Sequence, residues 1–212
     1  MELKILTGFY NAEEYIERCL KSIQSQTHTN FICYITHDLS TDKSKEVVEN
    51  FIKDDDRFIL VKDYHKKLYQ TGNFDKTIRF NDNIKDTDVL IEVDGDDYLP
   101  DSEVFTRIAN LYEDNDIWIA NGSFKYSNNQ PGFSQKQEGF DNLRAVRFTA
   151  SHIRTWRAFL WRAIKEEDLR DQHGDYWQWS GDLCFMYPML EMAGKEHYSF
   201  MTDVNYVYNG EN

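Results

Sequence analysis

Cysteine, proline and glycine are all scarce in this 212-residue chain, at 3, 3 and 10 residues. Cys19, Cys33 and Cys184 are odd in number and widely separated. That spacing excludes a disulfide framework and a thiolate metal cluster, and reads as buried thiols in a reducing compartment. So little proline and glycine, beside 41% apolar and 15% aromatic residues, excludes a disordered chain and leaves ample material for one core. Long apolar runs are lacking too: none approaches the roughly 18 residues of a membrane span. Acids follow the first apolar run at once, so the N-terminal MELKILTGFYNAEEY lacks the basic-then-apolar order of a signal peptide. The expected setting is cytoplasmic, without stable membrane insertion. Positive charge is the last shortage. With 24 basic against 37 acidic residues, net −13, the chain repels a phosphate backbone, and no nucleic-acid partner is expected.

What is present is an alternation of strand-like and helix-like segments over about 120 residues. Leu3 to Thr7 is an apolar run stopped by Gly8. Ala12 to Gln26 carries Ala12, Tyr15, Ile16, Cys19, Leu20 and Ile23 at helical spacing, with Asn11 as the expected N-cap. Phe31 to Thr36 is a second strand, followed by a helix capped by Ser40 or Thr41 with Val47, Val48, Phe51 and Ile52 buried. Arg57 to Val61, Asp88 to Val93 and Asp116 to Ala120 complete five strands, with helices over Gly72 to Ile84 and from Asp101. This order predicts an α/β fold with a mostly parallel, Rossmann-like sheet and ligands at the carboxyl ends of its strands. Ser127 to Gly139 is the clearest loop. A single domain over 1–212 is expected, its 1–121 half holding a nucleotide and its 122–212 half forming a small C-terminal elaboration on the acceptor side.

Acids gather at those strand ends: Asp38 after the second strand, and Asp94-Gly95-Asp96-Asp97 after the fourth. An isolated acidic tetrapeptide is most simply a solvated turn. Three Asp directly after a buried apolar run, however, repel one another unless a cation relieves them. Hard cations such as Mg²⁺ or Mn²⁺ take such oxygens. An EF-hand is excluded, since Leu99 and Phe105 stand where its loop needs Gly and Glu.

Several segments together resemble family 2 glycosyltransferases. The opening Ile5-Leu6-Thr7-Gly8-Phe9-Tyr10-Asn11-Ala12-Glu13-Glu14 is similar to that family's strand, Tyr-Asn turn and helix. Ser22-Ile23-Gln24-Ser25-Gln26-Thr27 resembles the close of its first helix, and His37-Asp38-Leu39-Ser40-Thr41-Asp42 resembles its Asp-Asp-Gly-Ser-Thr-Asp segment. Asp94-Gly95-Asp96-Asp97 resembles its Asp-x-Asp-Asp stretch, and Gly181-Asp182 its Glu-Asp helix. The resemblance implies a GT-A fold and an inverting transfer of sugar from a nucleotide-sugar, by family habit a UDP-sugar, to a hydroxyl of a glycan, lipid-linked sugar or protein. It implies Gly8, Tyr10, Asn11, Asp38, Gly72, Asp94 and Gly95 on the nucleotide, Asp94 and Asp96 on a divalent metal, and Asp182 as general base. His37, Leu39 and Gly181 depart from the family pattern.

From Asn142 to Lys165 there is no acid, while six Arg and Lys alternate with Phe and Trp. This stretch is expected to be an amphipathic helix with its cations paired elsewhere, or a cationic rim in which His152 and Arg154 meet a diphosphate or anionic acceptor. Trp179 would lie under a sugar ring or pack in the C-terminal lobe. Two competing functions are carried forward. An inactive sugar- or partner-binding module fits the three departures. A nucleotidyltransferase would need a Gly-rich, basic loop after the first strand, where the chain has Gly8-Phe9-Tyr10-Asn11.

Overall fold

Alternation within each strand decides which core a side chain joins. In the computed structural model, which describes residues 1–113 and 116–210, β1 (Leu3–Phe9) sends Leu3 and Ile5 into one core and Leu6 into another. The same split divides Cys33 and Ile35 from Tyr34 on β2 (Phe31–His37), and Val89 and Ile91 from Leu90 on β4 (Val89–Glu92). Both faces of the sheet are therefore covered. One side packs against α1 (Ile16–Gln24), α2 (Ser44–Phe51) and α4 (Val104–Glu113). The other packs against α3 (Tyr69–Phe80), α5 (Ala158–Ala163) and α6 (Gly181–Ala193). No helix among the described residues is long and apolar enough to cross a membrane.

With β3 (Phe58–Leu60), β5 (Ile119–Tyr126), β6 (Arg154–Arg157) and β7 (Tyr198–Tyr208), the sheet runs β3-β2-β1-β4-β6-β5-β7. β1 is parallel to β2 and β4, β2 to β3, and β5 to β7. Only β6 is reversed, antiparallel to β4 on one side and β5 on the other. The mostly parallel α/β sheet expected from the sequence is thus present.

Several local expectations are corrected. The basic stretch is not one helix. A 3₁₀ turn over Phe140–Ala145 leads to strand β6 and the six-residue α5. Thr155 and Trp156 sit completely buried in the sheet interior, and such a site favours an extended chain. Asn11 does not cap α1, which starts at Ile16 with Tyr15 in the cap position and no side-chain bond. Its Oδ1 instead accepts from the Thr41 amide at 2.8 Å, while Glu13 accepts from the Lys43 amide. These residues tie the β1–α1 turn to the β2–α2 turn. Neither Ser40 nor Thr41 caps α2; Asp42 accepts from the Ser44 amide.

Candidate active site

Because β2, β1 and β4 are parallel neighbours, their carboxyl ends share one edge of the sheet, with Phe9 level with His37 and Leu6 level with Glu92. Gly95 follows β4 and donates its amide to Gly8 O at 3.0 Å. A Cβ on Gly95 would lie 2.8 Å from Phe9 Cβ and 2.9 Å from Gly8 O, so only glycine lets the two strand ends approach this closely.

A cavity of about 390 Å³ opens at this edge, lined by Gly8, Tyr10, Asp38, Asp94, Asp96 and Trp179 among the residues singled out in the sequence. Lys67, Gln70, Asn73 and Gln178 also line it, and sequence reasoning missed all four. Gln70 and Asn73 were detectable as polar residues three apart on the first turn of α3. Nothing local marks Lys67, whose ammonium lies 3.2 Å above the Tyr10 ring.

Asp38 is buried, and its Oδ1 accepts from the amides of Leu68 (2.9 Å) and Tyr69 (3.1 Å) and from the Asn73 amide group (3.0 Å). It therefore both lines the cavity and anchors the N-terminus of α3. His37 accepts from the Ser40 amide through Nε2 at 2.7 Å and sits 3.0 Å from Asp63 through Nδ1, so the proton is on Nδ1. Leu39 holds the turn in the left-handed region at φ 59° despite its side chain.

Asp94 accepts from the Gln70 side chain, and its amide donates to Tyr206 Oη at 3.0 Å. Burial, then the charges of Glu92, Asp97 and Asp96, push its carboxyl well above the usual range. Burial and Asp96 push Asp97 up to about 7, even though it accepts from the Asn209 amide at 2.7 Å. Burial drives His152 well down, which keeps its imidazole neutral. Ligand atoms of Asp94, Asp97 and His152 lie within 4.8 Å of one another. Crowded acids and a neutral imidazole make a donor set that fits a divalent cation. The expected pair was Asp94 and Asp96. The converging group sets Asp97 and His152 beside Asp94 and does not include Asp96, which lines the neighbouring cavity.

Asp182, at the first turn of α6, lies across a guanidinium from β4. Arg154 donates to Glu92 Oε2 at 2.9 Å and to Asp182 Oδ2 at 2.8 Å. Arg154 is 5% exposed and Glu92 is fully buried, so this is an interior ion triad with both arms of the arginine engaged. Arg154 is accordingly committed to acids and is not a free cation at the rim. Asp96 and Asp182 line separate hollows with no lining residue in common; the two walls approach where His152 Nε2, of the second, lies 3.8 Å from Asp94 Oδ2, of the first.

Gly72 and Gly95 do not line the cavity, and neither does Asn11. Gly72 seats the Tyr176 ring, which would lie 2.4 Å from a Cβ there. Gly181 stands where the family pattern has Glu. A Cβ at that position would lie 2.2 Å from Thr71 Oγ1, so the departure accompanies close packing of α6 on α3.

Comparisons with known proteins bear on the family and the fold. The sequence model of glycosyl transferase family 2 matches residues 5–177. A teichoic acid poly(glycerol phosphate) polymerase of Staphylococcus epidermidis is 47% identical over 58 residues, 27% of this chain and 8% of that protein. S. aureus TarS 1–349 in complex with UDP-GlcNAc superposes with TM-score 0.74 at 19% identity, covering 100% of this chain and 59% of TarS 1–349. Mannosyltransferase PcManGT of Pyrobaculum calidifontis, in complex with GDP-Man and Mn²⁺, superposes with TM-score 0.62 at 12% identity, over 98% of this chain and 56% of its own. The chain thus spans less than two thirds of each of these three. A family match over most of the sequence, on a sheet with the TarS topology, means that this chain belongs to glycosyl transferase family 2 and has the GT-A fold.

Proposed function

We propose that this chain transfers a sugar, with inversion, from a nucleoside-diphosphate sugar, most simply a UDP-sugar, to an acceptor hydroxyl. The observation that carries the reading is the gathering of acids at one sheet edge: a hollow lined by Tyr10, Asp38, Asp94 and Asp96, and a neighbouring one lined by Asp182 and His152, the latter 3.8 Å from Asp94. Tyr10, 46% exposed at the mouth, offers a ring on which a base stacks, and Lys67 beside it offers a cation to the donor. Asp38 is fixed by its bonds to α3, so its carboxylate meets the donor in a set position. Asp94, Asp97 and His152, whose ligand atoms lie within 4.8 Å of one another, would hold a divalent cation, with Asp96 in the same turn as the further ligand the resemblance implies. When bound, such a cation neutralises charge that builds on the departing diphosphate.

Asp182 takes the proton from the acceptor hydroxyl. The acceptor oxygen then forms its bond to the anomeric carbon while the bond from that carbon to the diphosphate breaks, and the electron pair leaves with the nucleoside diphosphate. Arg154 keeps the Asp182 carboxylate in place, because Glu92 behind it is buried on β4 and does not move.

A thermal-shift screen of nucleotide-sugars with and without Mn²⁺ tests the donor assignment, since a bound donor stabilises the fold by mass action. A UDP-sugar is expected to raise the melting temperature in the presence of Mn²⁺, and Asp96→Asn to remove the metal-dependent part. An unchanged shift in that variant rejects the assignment of Asp96. In steady-state transfer, Asp182→Asn is expected to lower kcat by about 10²–10⁴-fold with little change in donor KM. A kcat within a few-fold of the parent would reject Asp182 as the base.

A further inference from the structure

The hollow that holds Asp182 has its own walls. Phe124, Tyr126, Phe133 and Tyr208 form them, with ring centroids 5.4 Å (Phe124 to Tyr126), 5.5 Å (Phe124 to Phe133) and 5.8 Å (Tyr126 to Tyr208) apart. Phe133 and Tyr208 remain 46% and 39% exposed, so aromatic surface faces an open well of about 260 Å³. That is just under the roughly 300–1,000 Å³ of sites for drug-sized ligands, and suits one ring rather than a chain.

Besides the rings, the well is lined by Ser151, His152, Arg154 and Asp182. Among the described residues Arg154 is the only lysine or arginine in the lining; its two terminal nitrogens are engaged with Glu92 and Asp182, and its Nε is buried. Asp182 adds negative charge. His152, also in the lining, is 5% exposed, and its Nδ1 is buried with no hydrogen-bond partner. A phosphate placed here would meet the Asp182 carboxylate and an arginine whose charge is already shared by two acids. A neutral polyol would meet aromatic faces for its C–H side and Asp182 as acceptor for a hydroxyl.

We propose that this aromatic well is the acceptor subsite and that it receives a single neutral, hydroxyl-bearing sugar ring, with any phosphate of the acceptor lying outside it. This rests on the glycosyl-transfer reading, in which Asp182 accepts the proton of the incoming hydroxyl.

Ligand-observed saturation-transfer NMR tests it on the full chain, with UDP and diamagnetic Mg²⁺ present. The probes are methyl β-glucopyranoside, methyl β-N-acetylglucosaminide and, as a phosphate ester without a sugar ring, methyl phosphate. At least one neutral glycoside is expected to bind and the phosphate ester not to. Phe133→Leu and Tyr208→Ala are each expected to weaken glycoside binding about three- to tenfold, the loss of one aromatic contact. Thermal shift by UDP in the same samples checks that each variant is folded. Two independent rim variants keep the outcome readable if one of them does not fold. Equal binding of the phosphate ester, or glycoside binding unchanged in both variants, overturns the subsite. UDP binding by the parent with neither glycoside bound overturns the subsite and leaves the transfer reading standing. Absence of UDP binding by the parent overturns the transfer reading itself.

Discussion

Leu39 occupies a left-handed backbone conformation (φ 59°) in the turn that delivers Asp38 to the cavity. For an L-residue with a side chain that conformation costs about 1–2 kcal/mol. It persists because the neighbours over-determine it: His37 receives the Ser40 amide, and Asn11 receives the Thr41 amide. Leu39→Gly is therefore expected to raise unfolding free energy by about 0.5–1 kcal/mol, read as a higher denaturant midpoint with an unchanged slope. A lower midpoint would mean that the Leu39 side chain, half-buried, contributes more than its backbone costs. His37 belongs to the same turn. It stacks on Phe9 at 5.0 Å and bonds Asp63, so it supports the turn where the family pattern has an acid.

Among the elements, α3 links the nucleotide cavity to the loop that carries Trp177, Gln178 and Trp179. Asp75 on α3 is fully buried and accepts from Arg79 (2.6 Å), Trp161 Nε1 (3.0 Å) and Tyr176 Oη (2.9 Å). Tyr176 rests on Gly72 one turn earlier, and Glu166 accepts from Lys76 and Tyr176. Gly72→Ala should lift the Tyr176 ring and strain this network, lowering stability by about 1–3 kcal/mol as measured in a denaturant melt. Because Gln178 and Trp179 line the cavity just beyond, the thermal shift given by UDP should shrink in the same variant. A full UDP shift would uncouple the loop from the donor.

These couplings also explain what could and could not be read from the sequence. Helix α1 was legible because Ile16, Cys19, Leu20 and Ile23 repeat at a local period that depends on nothing distant. Asp38, Asp94 and Asp96 were legible as one site because parallel strands bring their carboxyl ends to one edge. Strand β6 was not. It has four residues, two of them arginines, and its pairing to β4 joins Arg154 to a residue 62 positions earlier. Gly72 was expected at the nucleotide, but its role depends on a tyrosine more than a hundred residues later, which no local pattern carries. Lys67 and Gln178 escaped notice for the same reason, whereas Gln70 and Asn73 carried a local signal in their spacing on α3.

Taken whole, the molecule carries a net charge of −13, and part of that excess is drawn into the site, where Glu92, Asp94, Asp96, Asp97 and Asp182 share one region anchored by Arg154. Self-repulsion on this scale is weakened as the screening length falls from about 30 Å at 0.01 M salt to about 10 Å at 0.1 M. Raising NaCl over that range, with no divalent ion present, is expected to increase the melting temperature by roughly 2–4 °C, equivalent to about 1 kcal/mol. A fall would mean that the surface ion pairs outweigh the net charge.

The reversed strand has a consequence for how the protein is made. β5 leaves the ribosome before β6, yet it is tied to β4 only through β6, which slots between them; its other neighbour, β7, comes later still. Until residue 157 has emerged, β4 is an open edge and the first four strands form a separate, unfinished sheet. The Arg154 guanidinium arrives with that same strand and gives Glu92 its partner, while Asp182, on α6, and the outer strand β7 follow only later in the chain. A nascent chain stopped short of β6 has no partner for the Glu92 carboxylate it has already begun to bury, which makes the middle of the chain the stretch where a chaperone has most to shield.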